Sequence, residues 1–332
     1  GEKQGNYELS SGTAIGKIYQ YIAPIGGIKQ GNYEPITRLI APTKIQIATV
    51  FGKYNPSEKT SIDFETAISN NDLNLFSSLN DNDNQGLAGK INAKQRIFTR
   101  KWEVDAFANY QFVQKEFRSI ERLYNIEFDR DWNLTLVSGN QSFLVSGLQF
   151  NLPKKGILIY QLENLNFSNS FNGNRHTIDA AFKLNEWSIL NKSSLMTSKA
   201  TAADSRFLRN QSQVKYHFKK NWIGSSLRFE NNQERNKETR LLTSLSQRFI
   251  EYGGFVGRGD STKVYTELGY LHRTNDSLQG GILQRVNVSQ SYYMKSKLIQ
   301  NEKSDLAVYI NYRNLKFEDQ TRSNEPSLNS RV

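Results

Sequence analysis

TKVYTELGYLHR (262–273), VNVSQSYYMKSKLIQ (286–300) and DLAVYINYRNLKF (305–317) lie almost end to end, and their reading decides the fold. In the last, Leu306, Val308, Ile310 and Tyr312 alternate with Ala307, Tyr309, Asn311 and Arg313, the period of two that a pleated strand imposes. Only the polar link Gln300–Ser304 separates the second and third segments, too short for a crossover, so they form an antiparallel hairpin. Val264, Leu268 and Tyr270 mark one face of the first segment, with Lys263, Glu267 and Gly269 on the other.

The same unit recurs upstream. GLAGKINAKQRIF (86–98) and KWEVDAFANYQFV (101–113) read as a long hairpin, followed by strand-like NIEFDRDWNLTLV (125–137), QSFLVSGLQF (141–150) and GILIYQLENLNF (156–167). Asn172-Gly173-Asn174 reads as a turn before HTIDAAFKL (176–184), and Asn185-Glu186 as a turn before WSILNKSSLMTS (187–198). QVKYHFKKNWIGSSLRFE (213–230) turns at Lys219–Asn221. The expectation is an all-β antiparallel meander of about a dozen long strands from Leu87 to Phe317. Residues 87–318 then form the hairpin array, 1–86 a loop-rich β extension, and 319–332 a polar tail or truncated loop.

The links at 185–186, 219–221, 258–261 and 300–304 are short and polar, while those near 197–206, 231–243 and 274–283 read as long. Short turns at one end and long loops at the other, with strands near the ~9–11 residues that cross a bilayer at a tilt, are the signature of an outer-membrane barrel. Trp102, Trp132, Trp187, Trp222, Tyr252, Tyr292 and Tyr312 fall near strand ends, where an interfacial aromatic girdle belongs. The barrel reading makes Val264, Leu268, Tyr270, Leu306, Val308, Ile310 and Tyr312 lipid-facing. It gives Lys263, Glu267, Asn311 and Arg313 to a polar lumen.

In the extension, Lys3-Gln4-Gly5-Asn6-Tyr7-Glu8 recurs as Lys29-Gln30-Gly31-Asn32-Tyr33-Glu34, a duplicated turn followed by a strand, and KIQIATVF (44–51) is a further strand. LFSSLNDNDNQG (75–86) places Asp81, Asp83 and Gln85 alternately ahead of Gly86, as at the start of a calcium loop. Position twelve is Asn92 rather than a bidentate Glu, which excludes an EF-hand. A looser calcium site completed by Glu65 and Asp72 and a plain polar turn both stay open.

GNYEPITRLIAP (31–42), ETAISNNDLNLFSSLNDNDNQGLAG (65–89), FDRDWN (128–133), NGNRH (172–176) and GRGDSTKVYTELGYLHRTNDSL (257–278) resemble stretches of large β-rich outer-membrane or cell-surface proteins of Bacteroidota. The resemblance implies an envelope location and a long β architecture within a longer polypeptide. Its motifs are Asn/Asp/Gly turn signatures, so it carries over no functional residue.

Composition sets the chemical limits. The chain has 332 residues, 37% of them hydrophobic, no cysteine and a net charge of +11. Disulfides, thiolate metal sites and cysteine nucleophiles are thereby excluded. The cations are scattered without a basic run, which favours a solvated basic surface over a nucleic-acid site. No apolar run approaches a membrane helix, and a mean hydropathy of −0.63 suits a barrel as well as a soluble sheet. A start at Gly1 without a charged-then-apolar leader reads as a processed form or a fragment. His176, His217 and His272 show no zinc spacing, and no nucleophile elbow, phosphate loop or dinucleotide fingerprint is present. Asp129 and Asp131 around Arg130 read as a local salt bridge rather than a glycosidase pair, and Arg258-Gly259-Asp260 as a turn.

The expectation is therefore a non-enzymatic outer-membrane or cell-surface structural component of a Gram-negative bacterium. It would be a barrel section or a subunit of a larger envelope export or assembly complex. Its partners would be outer-membrane lipid or lipopolysaccharide and other envelope proteins, with no nucleic acid and no cofactor beyond calcium. The competing class is a soluble exported β-sheet module that binds glycan or another envelope ligand through exposed aromatics.

Overall fold

A computed structural model describes residues 3–12, 16–36, 41–79, 81–260, 263–300, 304–318 and 321–331. The chain divides into two compact units, one of residues 1–44 with 72–80 and one of 45–71 with 81–332.

The smaller unit contains β1 (Tyr7–Gly12) and β2 (Lys17–Tyr21), an antiparallel pair. Its two KQGNYE copies pair with each other. Gly5 and Gly31 exchange backbone hydrogen bonds at 2.9 and 2.8 Å, and Tyr7 and Tyr33 do the same at 2.9 and 2.8 Å. The repeat thus forms a clasp in which each copy supplies the other's partner. A Cβ on Gly5 would sit 1.9 Å from the Tyr33 carbonyl oxygen, which is why the position is glycine. The Asn6 backbone N–H donates to the Glu34 carboxylate at 2.8 Å and, with nearby Lys29, holds that carboxyl below its ordinary range.

The larger unit is built on one 15-stranded sheet in which every strand neighbours its sequence neighbours. It comprises β3 (Lys44–Ser57), β4 (Thr60–Asp72), β5 (Gln85–Thr99), β6 (Glu103–Val113), a helical turn α1 (Phe128–Trp132), β7 (Gln141–Leu152), β8 (Gly156–Phe167) and β9 (Phe171–Leu184). It continues with β10 (Trp187–Ala200), β11 (Ala203–Phe218), β12 (Asn221–Asn236), β13 (Gln247–Gly259), β14 (Tyr265–Gln279), β15 (Ile282–Gln300), β16 (Asp305–Phe317) and β17 (Arg322–Arg331). The all-β antiparallel meander expected from the period-two segments is what the chain forms.

Register fixes two faces. Following the pairs from Phe143 to Leu165, Gly173 and Arg175, then Met196, Phe207 and Asn232, places the residues that meet α1 on one face, called inner below. The inner face is concave. Ile157 of β8 and Tyr309 of β16 line one cavity of about 510 Å³, although strands so far apart in a flat sheet would be separated by roughly 38 Å at ~4.8 Å per strand.

Several boundaries differ from the sequence reading. Residues 125–137 are not a strand: α1 occupies their centre and closes at Asn133 in the left-handed region, where its N–H reaches the Arg130 carbonyl. Asn172-Gly173-Asn174 lies inside β9, the turn being at 168–170. The links expected to be long near 197–206 and 274–283 are mostly strand: β10 passes to β11 at 201–202 and β14 to β15 at Gly280-Gly281, whose positive φ values make that tight turn. The long connections at that end are instead 73–84, 114–140 and 237–246. β3 and β4 belong to the large sheet rather than to an extension ending at 86, and β17 forms from residues expected to be tail. Of the expected turns and tail, Ser261 and residues 301–303, 319, 320 and 332 lie outside the described residues.

Candidate functional site on the inner face of the sheet

Residues 114–140 bring α1 onto the inner face at the end of the sheet that carries the long connections. Phe128 and Trp132, four positions apart and so on one side of a helical turn, pack with Leu165, Phe171, Met196 and Phe207, the hydrophobic core of the described residues. Trp132 is fully buried and meets Phe143 and Phe171 edge-on at 5.8 and 6.5 Å. Phe128 stacks on Tyr124 at 3.9 Å. Burial pushes the Tyr124 hydroxyl up to about 12 against an opposing hydrogen bond from Gln141, because its ionised form would lose solvation.

Charges surround this core. The Asp131 carboxylate meets Arg209 at 2.5 Å and Arg175 at 3.9 Å, and Arg175 also holds Glu163. Arg130 reaches Glu230 at 3.0 Å, and Asn133 and Asn232 donate to each other at 2.7 and 2.9 Å. The Arg175 guanidinium lies over Trp132 at 4.5 Å, and that of Arg209 over Phe207 at 3.9 Å. FDRDW is therefore a docking turn. Arg130 does pair locally with Glu127 at 3.3 Å, but Asp129 and Asp131 do not pair with Arg130; Asp131 and Arg130 reach partners 44 to 100 residues further along the sequence. Phe128 and Trp132 at helical spacing, with apolar Leu165, Phe167 and Phe171 at inward positions beyond polar Gln161 and Glu163, were the available signal.

Away from α1 the inner face opens into the 510 Å³ cavity. The Trp222 indole N–H donates to buried Glu267 at 2.8 Å, and Lys215 approaches the same carboxylate at 3.8 Å. Trp222 lies flat over Gly257, where a Cβ would come within 2.2 Å of the ring. Glu251 takes Arg228 at 3.3 Å and Arg273 at 3.7 Å. Trp132 and Trp222 are thus inward and buried, which removes both from the expected girdle. Trp102 and Trp187 do sit outward at the short-turn end, against Phe150 at 6.0 Å and Tyr216 at 4.9 Å. Tyr252, Tyr292 and Tyr312 also point outward, but they lie in the middle of β13, β15 and β16 rather than near strand ends, which removes them from the expected girdle too.

The register places Leu268, Tyr270, Val308, Ile310 and Tyr312 on the outer face and Glu267, Asn311 and Arg313 on the inner. Leu306 lies two positions before Val308 on the same strand, and Val264 lies just ahead of β14 and is exposed. Asp81 and Asp83 form a single 3-10 turn in which the Asp81 carboxylate accepts the Asn84 side-chain amide at 3.1 Å, while Gln85 starts β5. Glu65 is paired with Lys90 at 2.6 Å, and the Asp72 carboxylate accepts the Asn74 N–H at 2.9 Å. Among the described residues no group of three or more His, Cys, Asp or Glu is arranged to hold a metal ion. Arg258-Gly259-Asp260 is a turn entrance, with φ +120° at Gly259 and the Asp260 N–H bound to the Val264 carbonyl.

No protein-family model and no curated protein matches the chain. Among solved structures it is similar to a BenF-like porin from Pseudomonas fluorescens Pf-5, with 8% identity, 87% of this chain and 90% of that chain covered, and a TM-score of 0.41. It is similar to Pseudomonas aeruginosa OccK5 (OpdH) at 9% identity, over 87% of this chain and 94% of that one, with a TM-score of 0.40. The outer-membrane expressed OmpT of Vibrio cholerae gives 8% identity, coverage of 89% and 97%, and a TM-score of 0.35.

Proposed function

We propose that this chain is a non-enzymatic structural component of the outer membrane of a Gram-negative bacterium, forming a β-barrel section within a larger envelope assembly. The observation that carries the reading is that its burial is inside out. On the outer face Leu268 and Tyr292 are 51% and 53% exposed, with Ile91, Ile178, Val256 and Ile310 similar. On the inner face Asp105 and Glu163 are 0% and 5% exposed. Water-soluble monomers rarely leave so extended an apolar surface open while burying carboxylates, whereas hydrocarbon makes that arrangement favourable.

The apolar surface has limited height. On β16 the outward series Leu306, Val308, Ile310 and Tyr312 gives way to Asn314 and Lys316. Four outward positions about 6.8 Å apart span roughly 20 Å along the strand, or about 15 Å of height at a barrel tilt of ~40°, which fits within an apolar band of ~25 Å. Polar residues within the band satisfy one another. Asn191 donates to Ser212, Ser212 to Asn210, Asn210 to Ser193 and Ser193 to Asn191, all within 2.8–3.0 Å, a closed ring that needs no water. Fifteen antiparallel strands leave β3 and β17 running the same way. One strand opposed to both would complete an all-antiparallel closure, which suits a section of a larger barrel.

The test is accessibility at Val308. In outer-membrane vesicles Val308→Cys should react with a lipid-soluble maleimide and resist a charged one, while Asn311→Cys should react with the charged reagent. Resistance of Val308→Cys to both reagents would mean that the face is covered by protein and would overturn the barrel reading. Release of the chain by carbonate without detergent would favour the soluble glycan-binding module.

A further inference from the structure

The cavity on the inner face lies where two adjacent transverse rows of side chains differ in kind. One row, crossing β8 to β14, carries no charge: Ile157, Leu190 and Leu271 are apolar, and Ala181, Ser226 and Gly253 are small. Small residues at the floor make the space, and Leu190 is half exposed within it. The neighbouring row carries Asp179, Lys192, Arg228, Glu251 and Arg273. Tyr293 and Tyr309, with ring centroids 6.3 Å apart, add an aromatic wall.

The charges at this cavity are unevenly spent. Glu251 holds Arg228 and Arg273, and Glu267 is occupied by Trp222 and Lys215. Among the described residues no carboxylate lies within 4.0 Å of Lys192 or Lys295; Lys295 only lies 5.9 Å from the Tyr265 ring. Asp179 directly opposes Lys192 across β9 and β10, and Glu267 directly opposes Lys295 across β14 and β15, neither in an ion pair with that lysine; five cations (Lys192, Lys215, Arg228, Arg273 and Lys295) thus meet three carboxylates (Asp179, Glu251 and Glu267), a surplus of two positive charges. An uncovered aliphatic floor beside two unneutralised ammonium groups is complementary to one class of small molecule.

We propose that this cavity binds an amphipathic anion, its apolar body resting on Ile157, Leu190 and Leu271 and its carboxylate or equivalent anionic group taken by Lys192 and Lys295. Tyr293 and Tyr309 flank the body. A volume of about 510 Å³ falls in the range of small-molecule sites, which are mostly apolar with a few placed polar groups. The site belongs to the inner face whatever covers the outer one, so ligand binding and the Val308 labelling can fail separately.

The test is calorimetric titration of the full chain in nonionic detergent with three probes of one shape, 4-phenylbutyrate, 4-phenylbutanamide and 4-phenylbutylamine, against protein-free micelles. The butyrate should bind saturably and more weakly as salt rises, with the amide and amine at least about ten-fold weaker, as loss of one charge-assisted contact implies. Lys192→Gln with Lys295→Gln should abolish binding. Asp179→Asn should tighten it, a gain that a purely structural role for the cluster would not give. Equal affinities for the three probes, no saturable heat from any, or binding unchanged in the double variant would each overturn the proposal.

Discussion

The inner face of the sheet is filled at one level and open at the next, although both levels come from the same strands. Near the long connections, the apolar inward residues Leu165, Phe171, Met196 and Phe207 are covered by Phe128 and Trp132, and the surrounding charges are paired with α1. Nearer the short turns, Ile157, Leu190 and Leu271 are equally apolar and inward, but Leu190 stays half exposed, and among the described residues no carboxylate lies within 4.0 Å of Lys192 or Lys295. Strand alternation therefore decides which face a residue occupies. Whether that position is dry depends on a distant segment having the matching shape and charge.

The covered level should respond to mutation as a protein core does. Trp132→Ala removes the largest fully buried side chain and leaves a cavity, at a cost of about 3–5 kcal/mol. It should release residues 114–140 from the sheet, seen as rapid proteolytic cleavage within that stretch while the strands stay protected. Trp132→Phe should lose less, because among the described residues the indole N–H has no hydrogen-bond partner to forfeit. Equal protease resistance in Trp132→Ala would show that the segment is held by its ion pairs alone.

A subtler response should come from alkali. Tyr124, in the same segment, is neutral in folded and unfolded chains below pH 10. Between its unfolded value near 10 and its folded value of about 12 only the unfolded chain loses the proton, so the docking of 114–140 should weaken as pH rises through that window. In Tyr124→Phe the protection of the segment should be flatter over the same range. A wild-type curve parallel to that of Tyr124→Phe would show the hydroxyl to be solvated.

The contrast also explains what could be read from the sequence. Period two in 262–317 gave the strands, their faces and the antiparallel order, because each strand's pattern is local and a one-residue slip would invert it. The connections were harder. Asn172-Gly173-Asn174 and the Asn- and Asp-rich stretches at 231–232 and 274–276 carry turn chemistry but stay in strands, since their backbone groups are already paired by the ladders on both sides, and 233–236 are held in the ladder with β11. FDRDW was misread because its distant partners, Arg175, Arg209 and Glu230, lie on three different strands. The unpaired lysines were illegible for the same reason: a missing partner exists only once the registers of β9 to β16 are known.

The smallest expected effect is at the open level, and it is the sharpest check on the comparison. Lys192→Gln and Lys295→Gln break no ion pair among the described residues, so each should shift unfolding by no more than about 0.5 kcal/mol, against several for Trp132→Ala. Relief of repulsion between cations that share one cavity could even make the double variant slightly more stable. Thermal unfolding in detergent without ligand measures this directly. Near-neutral stability combined with loss of 4-phenylbutyrate binding would assign the two lysines to a ligand rather than to the fold. A drop comparable to that of Trp132→Ala would mean that the cavity, like the level above it, is held together by its own side chains.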